Sequence, residues 1–236
     1  MKLVLLDIDG TILVTRGSGR SSMEAALAGV LGRAVTTQGV SFSGRTDRQI
    51  LRDILRVSNV DLDEEERILD EALEAYQREA PAHLHPSKVT VFPGVRELIE
   101  ELHQRPDVCL GLLTGNLETT AFLKLGTVGL DRYFSFGAFG SDHEDRNCLP
   151  PIAMDRARSI AGRSFDPGEV YVIGDTSHDV ICGQVCGCRT VAVCTGRYTR
   201  AELQAVEPDL LVDDFSDYGA VIAFICGTDL SRAAAS

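Results

Sequence analysis

The segment Lys2-Leu-Val-Leu-Leu-Asp7-Ile-Asp9-Gly10-Thr11 joins an apolar run to two carboxylates and a Gly-Thr turn. The apolar run predicts a buried strand, with the acids in a loop at its carboxyl end. Side chains at positions i and i+2 of an extended segment point to the same face, so Asp7 and Asp9 can reach one small volume. A strand followed by an ordinary Asx turn has the same pattern, so the rest of the chain has to decide.

The two carboxylates also indicate a chemistry. They repel each other in one small volume, and burial strengthens that repulsion. A hard cation such as Mg2+ relieves it, because this ion prefers oxygen ligands. A phosphate ester is the substrate that such a cation suits. One carboxylate would attack phosphorus, and the other would handle the proton of the leaving group.

Composition excludes several classes of partner. The chain has 236 residues, of which 44% are hydrophobic and 25% charged, with a formal net charge of −12. These values are typical of a soluble globular protein. The negative charge argues against nucleic acid or an anionic membrane surface as a partner. No apolar run reaches the roughly 18 residues that span a bilayer. We therefore expect a cytoplasmic monomer or weak homodimer that binds a small molecule.

The seven cysteines follow no recognisable disulfide framework, which fits reduced thiols in a reducing compartment. His178, Cys182 and Cys186 recur at every fourth position, so a metal site is conceivable there. Usual zinc-ligand spacings are missing, however. The favoured interpretation makes Cys182 and Cys186 small apolar residues on the buried side of a short helix.

The region between the first strand and residue 88 predicts helices and no convincing strand. Apolar residues recur at helical spacing over 21–31, 48–57 and 63–79. A break with two prolines and two histidines follows from Pro81 through Val91, as expected for a hinge. The sequence therefore predicts an inserted α-helical cap at residues 15–88 and a core made of residues 1–14 plus 89–236.

The core predicts an α/β fold, because its remaining strands alternate with helices. The predicted strands cover residues 108–113, 133–139, 169–175, 188–194 and 210–213, and the predicted helices cover 95–105, 118–128 and 151–161. This alternation predicts a Rossmann-like parallel sheet with helices on both faces. Ligands bind beyond the carboxyl ends of the strands in such sheets. The Ala-rich tail, residues 232–236, is expected to fray.

Three of the predicted strands end in polar signatures. These are Asp7-Ile-Asp9-Gly-Thr, Thr114-Gly115-Asn116 and Gly174-Asp175-Thr-Ser-His-Asp179, and Arg146 lies between the last two. In this order they resemble the haloacid dehalogenase superfamily, specifically its phosphatase branch with an α-helical cap inserted after the first motif. The resemblance covers essentially the whole chain.

The resemblance implies a role for each of these positions. Asp7 would be the nucleophile that forms an aspartyl-phosphate. Asp9 would be the general acid and later the base that activates water. Thr114 and the backbone after it, from Gly115 on, would hold the phosphoryl oxygens, and Asn116 would orient that loop. In such phosphoryl transfer the protein mainly positions groups and neutralises charge.

The resemblance also implies a Mg2+ cofactor. Its ligands would be the carboxylates of Asp7 and Asp175 and the main-chain carbonyl of Asp9. Asp179 would bind a metal-coordinated water or support the loop.

Two arginines are further candidates. Such phosphatases usually carry a lysine before Pro-x-Pro, whereas this chain has Arg146-Asn-Cys-Leu-Pro-Pro. Arg146 would supply the cation, because guanidinium binds phosphate through a fixed fork and keeps its charge. The alternative is a surface arginine paired with Asp142, Glu144 or Asp145. Arg45, in Gly44-Arg45-Thr46-Asp47, would bind the second anionic or polar end of the substrate. Alternatively, it is solvated beside a helix cap.

The sequence thus predicts a Mg2+-dependent phosphatase for a small phosphorylated metabolite, with phosphoglycolate first and sugar phosphates next. A phosphomutase of the β-phosphoglucomutase kind ranks below it, because residues 12–38 lack the usual His. A haloacid dehalogenase has no second acid after the nucleophile, so Asp9 argues against it. A non-catalytic binding protein is disfavoured because all the predicted catalytic acids are present.

Overall fold

The structure is a computed structural model that describes residues 1–61 and 63–227. The tail at 232–236 lies outside these residues. In chain order the strands are β1 (Lys2–Leu6), β2 (Leu13–Val14), β3 (Thr90–Val91), β4 (Val108–Leu113), β5 (Gly137–Ala138), β6 (Val170–Gly174), β7 (Arg189–Val193) and β8 (Leu210–Val212). Within the described residues, six of them form one sheet in the order β5-β4-β1-β6-β7-β8. Every neighbouring pair in this sheet is parallel.

Helices connect these strands and cover both faces of the sheet. They are α1 (Ser18–Leu31), α2 (Asp47–Val57), α3 (Glu65–His83), α4 (Val95–Gln104), α5 (Glu118–Gly126), α6 (Leu149–Ala161), α7 (Ser177–Val185), α8 (Arg200–Gln204) and α9 (Tyr218–Cys226). Alternate side chains of β1 divide between the faces: Val4 and Leu6 pack with α4, α5 and α9, whereas Leu3 and Leu5 pack with α6 and α7. The predicted Rossmann-like α/β fold is confirmed.

Helices α1, α2 and α3 have an apolar core of their own. Its members include Leu27, Leu51 and Leu69, one from each helix, all fully buried. The antiparallel pair β2–β3 lies where the chain enters and leaves this helical segment, with Leu13 paired to Val91. The boundaries of the predicted cap, residues 15–88, stay a prediction.

Some predicted boundaries are wrong. The sequence predicts a break in the helix at Pro81, whereas α3 continues to His83. A proline in the last turn removes one hydrogen bond, and the Leu84 N–H still donates to the Ala80 carbonyl at 3.0 Å. The strand expected at 133–139 shrinks to β5, and α8 and α9 had not been predicted. Because nearly every residue of α9 is apolar, its sequence shows no alternation of apolar and polar positions from which a helix could be predicted.

The register of the sheet brings the polar loops to one edge. Leu6 of β1 pairs with Leu112 of β4 and with Ile173 of β6. The residues that follow these positions therefore emerge side by side at the carboxyl ends of the central strands. The Asp7 N–H is fixed there by donating to the Ile173 carbonyl at 2.9 Å. Among the described residues, no helix has the length and apolar character needed to cross a bilayer.

Candidate active site

Three buried carboxylates form a cluster at this edge. Asp7 follows β1, Asp175 follows β6, and Asp179 lies in the first turn of α7. One oxygen from each lies within 4.8 Å of the others. Three of the four predicted metal ligands therefore meet in one place.

The surrounding chain fixes the last two acids. The Thr11 hydroxyl donates to Asp175 Oδ1 at 3.2 Å. Asp179 Oδ2 accepts from the Thr176 hydroxyl at 2.6 Å and from its N–H at 3.0 Å, which closes the N-terminus of α7 as a capping box. A Cβ at Gly196 would lie 1.7 Å from Asp175 Oδ2, so the close approach of that loop requires glycine.

Asp9 lies beside the cluster rather than in it. Its side chain is 41% exposed. Its Oδ2 accepts from Lys124 Nζ at 2.5 Å and from Asn116 Nδ2 at 2.8 Å. The Asp9 carboxylate is thus held separately from the cluster of Asp7, which argues against it as a side-chain metal ligand there. The predicted coordination through the Asp9 carbonyl stays a prediction.

Lys124 is the residue that sequence reasoning missed. It lies on α5, is buried, and also donates to Asn116 Oδ1 at 2.5 Å. A signal was present, because Lys124 shares the buried face of α5 with Ala121 and Leu125. A lysine on an otherwise apolar helix face is rarely buried unless a carboxylate or similar partner receives it.

Arg146 lies inside the cluster, so the alternative of a surface arginine is wrong. It is buried, and its Nη2 donates to Asp7 Oδ1 at 3.0 Å, to Asp179 Oδ1 and to the Leu113 carbonyl at 3.3 Å. Asp142, which is near Arg146 in the sequence, binds Arg156 instead. Within the described part of the chain the Nε of Arg146 has no partner. That nitrogen is shielded from solvent, and the Cys182 thiol lies beside the same guanidinium.

The electrostatics of the cluster favour a cation. Burial raises the pKa of Asp7 to about 6, and repulsion from Asp179 adds to this while Arg146 opposes it. Burial raises the pKa of Asp175 well above its usual range, with further repulsion from Asp179 and Asp7. When all three carboxylates are ionised, the single guanidinium leaves two of their negative charges uncompensated. An all-oxygen donor set with this charge fits Mg2+.

The loop after β4 lies beside the acids and against the helical segment. The Asn116 side chain donates to Thr114 Oγ1 at 2.8 Å, which stabilises the loop from within. A Cβ at Gly115 would lie 2.1 Å from the Arg45 carbonyl oxygen. The backbone of the α1–α2 connection therefore covers this loop at a distance that leaves no room for a side chain.

A cavity of about 370 Å3 lies between the sheet edge and the helical segment. It is of a size for a small metabolite. Arg45 lines it with its side chain 36% exposed, and its guanidinium is paired with Asp53 of α2. Arg45 is therefore already neutralised, which weakens its assignment as a substrate ligand. The sequence-predicted site residues that line the cavity are Asp7, Asp9, Arg45, Thr114, Gly115, Asn116, Arg146 and Asp175.

Within the part of the chain that the structure describes, the cysteines belong to no group with metal-ligand spacing. Cys182 is buried on α7 and Cys186 is half-buried after it, and burial raises the pKa of the Cys182 thiol to about 12. Among the described residues, the acidic cluster is the only group of three or more His, Cys, Asp or Glu side chains with metal-ligand spacing. The interpretation of Cys182 as a small apolar residue agrees with its burial.

Known proteins were compared with the chain by sequence. The family model for haloacid dehalogenase-like hydrolases matches residues 4–193. The pyrophosphatase PpaX of Oceanobacillus iheyensis is 24% identical over 227 residues, which are 94% of this chain and 97% of the relative. A phosphoglycolate phosphatase of Agrobacterium fabrum is 24% identical over 217 residues, which are 91% and 89% of the two chains.

Solved structures share the fold. A protein of Haemophilus somnus described as a predicted phosphoglycolate phosphatase superposes with a TM-score of 0.69 at 20% identity, over 94% of this chain and 98% of its own. A β-phosphoglucomutase of Clostridium difficile gives a TM-score of 0.69 at 18% identity, over 96% and 98%. At these identities the likeness supports a common fold.

Proposed function

The chain belongs to the haloacid dehalogenase-like hydrolase family, and from that premise we propose that it is a Mg2+-dependent phosphatase acting on a small phosphorylated metabolite. The observation that carries the proposal is the environment of Asp7. This buried carboxylate lies at the end of the central strand, against a buried guanidinium and two further acids. Such a group is held in one orientation and faces a cavity large enough for a metabolite.

Asp7 and Asp9 divide the chemistry between them. An Asp7 carboxylate oxygen forms a bond to phosphorus as the ester P–O bond breaks, and Asp9 gives its proton to the leaving oxygen. Asp9 then takes a proton from a water molecule that attacks the phosphorus. The bond between phosphorus and the Asp7 oxygen breaks, and inorganic phosphate leaves with Asp7 restored. Lys124 and Asn116 hold the Asp9 carboxylate in place for both steps.

The neighbouring residues position the phosphoryl group. Arg146 fixes the orientation of Asp7 through the bond from its Nη2 to Asp7 Oδ1. Thr114 and the Gly115 backbone would bind phosphoryl oxygens. The carboxylates of Asp7, Asp175 and Asp179, with the Asp9 carbonyl, would hold the Mg2+ ion. When bound, the ion neutralises charge on the transferring group and on the acids.

The first test is turnover of p-nitrophenyl phosphate with Mg2+ or EDTA. We expect wild type to be active only with metal, and Asp7→Asn to be inactive but folded. Asp155→Asn removes an exposed carboxylate of α6 and should behave as wild type. Activity of Asp7→Asn would contradict the proposal. A panel of metabolite esters follows if the aromatic ester is not accepted by either protein.

The cavity also indicates a class of substrate. Arg16, Arg20 and Arg197 line it, in a chain whose net charge is −12. Arg20 stacks on Phe42 with its guanidinium carbon 4.1 Å from the ring centroid, and donates to the Thr37 hydroxyl at 2.5 Å. A planar guanidinium held in this way can bind a carboxylate or a second phosphate. Two relatives are named pyrophosphatase and phosphoglycolate phosphatase, and the substrates in those names each combine a phosphate with a second anionic group.

We propose a phosphate compound with a second anionic group, phosphoglycolate first. The test compares phosphoglycolate, pyrophosphate and ethyl phosphate on wild type, Arg20→Gln and Arg45→Gln. Arg20→Gln should lower kcat/KM for phosphoglycolate and pyrophosphate, which carry a second anionic group, by about tenfold or more and for ethyl phosphate by less than about threefold. Arg45→Gln should have the smaller effect, because Asp53 already binds that guanidinium. Equal losses on all three substrates would overturn this assignment.

A further inference from the structure

Asp47, the first residue of α2, holds the chain on both sides of Asn116. Its backbone N–H donates to the Gly115 carbonyl at 2.7 Å. Its carboxylate Oδ2 accepts from the Leu117 N–H at 2.8 Å. The two bonds clamp three consecutive residues of the loop from the helical segment, although Asp47 precedes them by some 70 positions.

The carboxylate completes the N-terminus of α5. Leu117 is the N-cap of that helix, and its side chain offers no acceptor. In α2, α7 and α8 the side chain of the third helical residue accepts a hydrogen bond from the N-cap N–H, as part of a capping box. The third residue of α5 is Thr120, whose hydroxyl lies 3.3 Å from Asp47 Oδ2 and 2.9 Å from the Leu117 carbonyl. Asp47 thus supplies the acceptor that α5 itself lacks.

The groups that Asp47 stabilises are those that hold Asp9. The Asn116 side chain donates to Asp9, and Lys124 on α5 donates to both Asn116 and Asp9. A shift of the loop or of the first turn of α5 would move both donors. We propose that Asp47 is a positioning residue, which aligns Asp9 for proton transfer through Asn116 and α5. The inference rests on the proposed phosphatase function, in which Asp9 is the acid and base.

Other contacts keep α2 in place when the Asp47 side chain is removed. The Thr46 hydroxyl donates to the Glu144 carbonyl at 2.9 Å. Arg52 binds the Glu144 carboxylate through two bonds of 2.8 and 2.9 Å. A variant that lacks only the Asp47 carboxylate therefore tests alignment of the loop more than docking of the helix.

The test compares Asp47→Ala with Asp47→Asn, which retains a side-chain oxygen for the Leu117 N–H. In Asp47→Ala we expect kcat to fall on the order of tenfold to a hundredfold while KM changes by less than about threefold, because alignment rather than binding is lost. Asp47→Asn should retain kcat within about threefold. Thr120→Val, which leaves the Leu117 bond intact, should resemble Asp47→Asn.

Measurements that need no turnover separate this inference from the proposed function. In NMR spectra we expect Asp47→Ala to shift the Asn116 side-chain amide resonance and to speed exchange of the Leu117 amide about tenfold or more, and Asp47→Asn to preserve both. These signals remain informative if wild type proves inactive, which would contradict the phosphatase proposal alone. A lower thermal stability of Asp47→Ala, with kcat, the Asn116 resonance and the exchange of the Leu117 amide unchanged, would show that Asp47 has only a structural role. An equal fall of kcat in both variants would also overturn the inference.

Discussion

The charged residues of the site are buried, and each depends on its partners to offset the free-energy cost of that burial. Arg146 lies in contact with Asp7 and Asp179, and all three side chains are nearly inaccessible to water. Removing one partner of such a group leaves the others uncompensated. The charges of the site are therefore interdependent, and a bound metal would act on the same carboxylates as Arg146.

Arg146→Met should lower the free energy of unfolding by roughly 3–5 kcal/mol without metal, because the acids then repel each other unopposed. Added Mg2+ should restore part of that loss, since it neutralises the same carboxylates. Calorimetric melting with EDTA and with Mg2+ measures both. An identical loss under the two conditions would argue against a metal bound by Asp7, Asp175 and Asp179.

Asp47 gives a prediction for pH. Burial raises its pKa from 3.8 to about 6, with Lys124 and the Leu117 N–H lowering it and Asp9 raising it. Tyr76, whose pKa is raised by burial and by Asp47, faces the same carboxylate. The folded state binds this proton more tightly than the unfolded state. Ionisation of Asp47 therefore costs stability above pH 6, and the cost disappears as the pH falls toward 4.

Asp47→Asn should accordingly stabilise the fold at pH 8 by an amount on the order of 3 kcal/mol. The gain should shrink steadily between pH 6 and pH 4. Urea unfolding of wild type and variant at several pH values tests this, with Asp155→Asn as the control on exposed α6. A difference that is independent of pH would show that the buried carboxylate does not titrate as described.

At the scale of elements, the loop after β4 and the start of α2 fit together without space for side chains. A Cβ at Gly115 would lie 2.1 Å from the Arg45 carbonyl oxygen, and a Cβ at Gly140 would lie 2.1 Å from the Gly115 carbonyl oxygen. Three backbone segments therefore pack directly on one another. The loop proposed to bind phosphate is thus shaped by elements from both the sheet and the helical segment.

Gly115→Ala should displace the start of α2, because a backbone oxygen cannot move aside as a side chain does. We expect kcat/KM to fall by about tenfold or more, since a displacement near 1 Å at the loop is enough for such a loss. Gly168→Ala is the matched control, because a Cβ there meets nothing within 4 Å. Steady-state kinetics measure kcat/KM of both variants. Equal activity of the two would contradict the packing argument.

At the scale of the whole molecule, two apolar cores meet across a polar contact. One core surrounds the sheet, and the other joins α1, α2 and α3. Between them, Arg52 of α2 binds Glu144 of the loop after β5 and Glu65 of α3 at 2.7–2.9 Å. These charged contacts hold the helical segment at the mouth of the cavity together with the apolar contact of Leu117 in the helical core. Salt screens the charged contacts more than it affects packing.

Glu144→Gln should therefore cost about 1–3 kcal/mol at low salt, because charge-assisted bonds to a half-buried arginine are lost. Glu71→Gln should cost less than about 0.5 kcal/mol, since Glu71 pairs with Arg67 on the exposed surface of α3. Denaturant unfolding at low and high ionic strength measures both. A Glu144 effect as small as that of Glu71 would show that this pair contributes little to joining the two parts.

The sequence by itself determined the parallel α/β fold and the three strand ends that meet at one edge. These features follow from local patterns, since an apolar run ending in a polar group marks a strand end, and parallel strands bring such ends together. Asp7, Thr114 and Asp175 could be found in this way, and Arg146 by its place in the order of motifs.

Only the tertiary structure decided the partners of Asp9. Lys124 lies 115 positions from it, and the carboxylate of Asp47 reaches a helix 70 positions away. Periodicity shows which face of a helix is buried but not which residue it meets. It therefore gave Lys124 no role and did not connect Asp47 with α5. Partners that are distant in sequence depend on how the two cores pack together, and no local pattern records that.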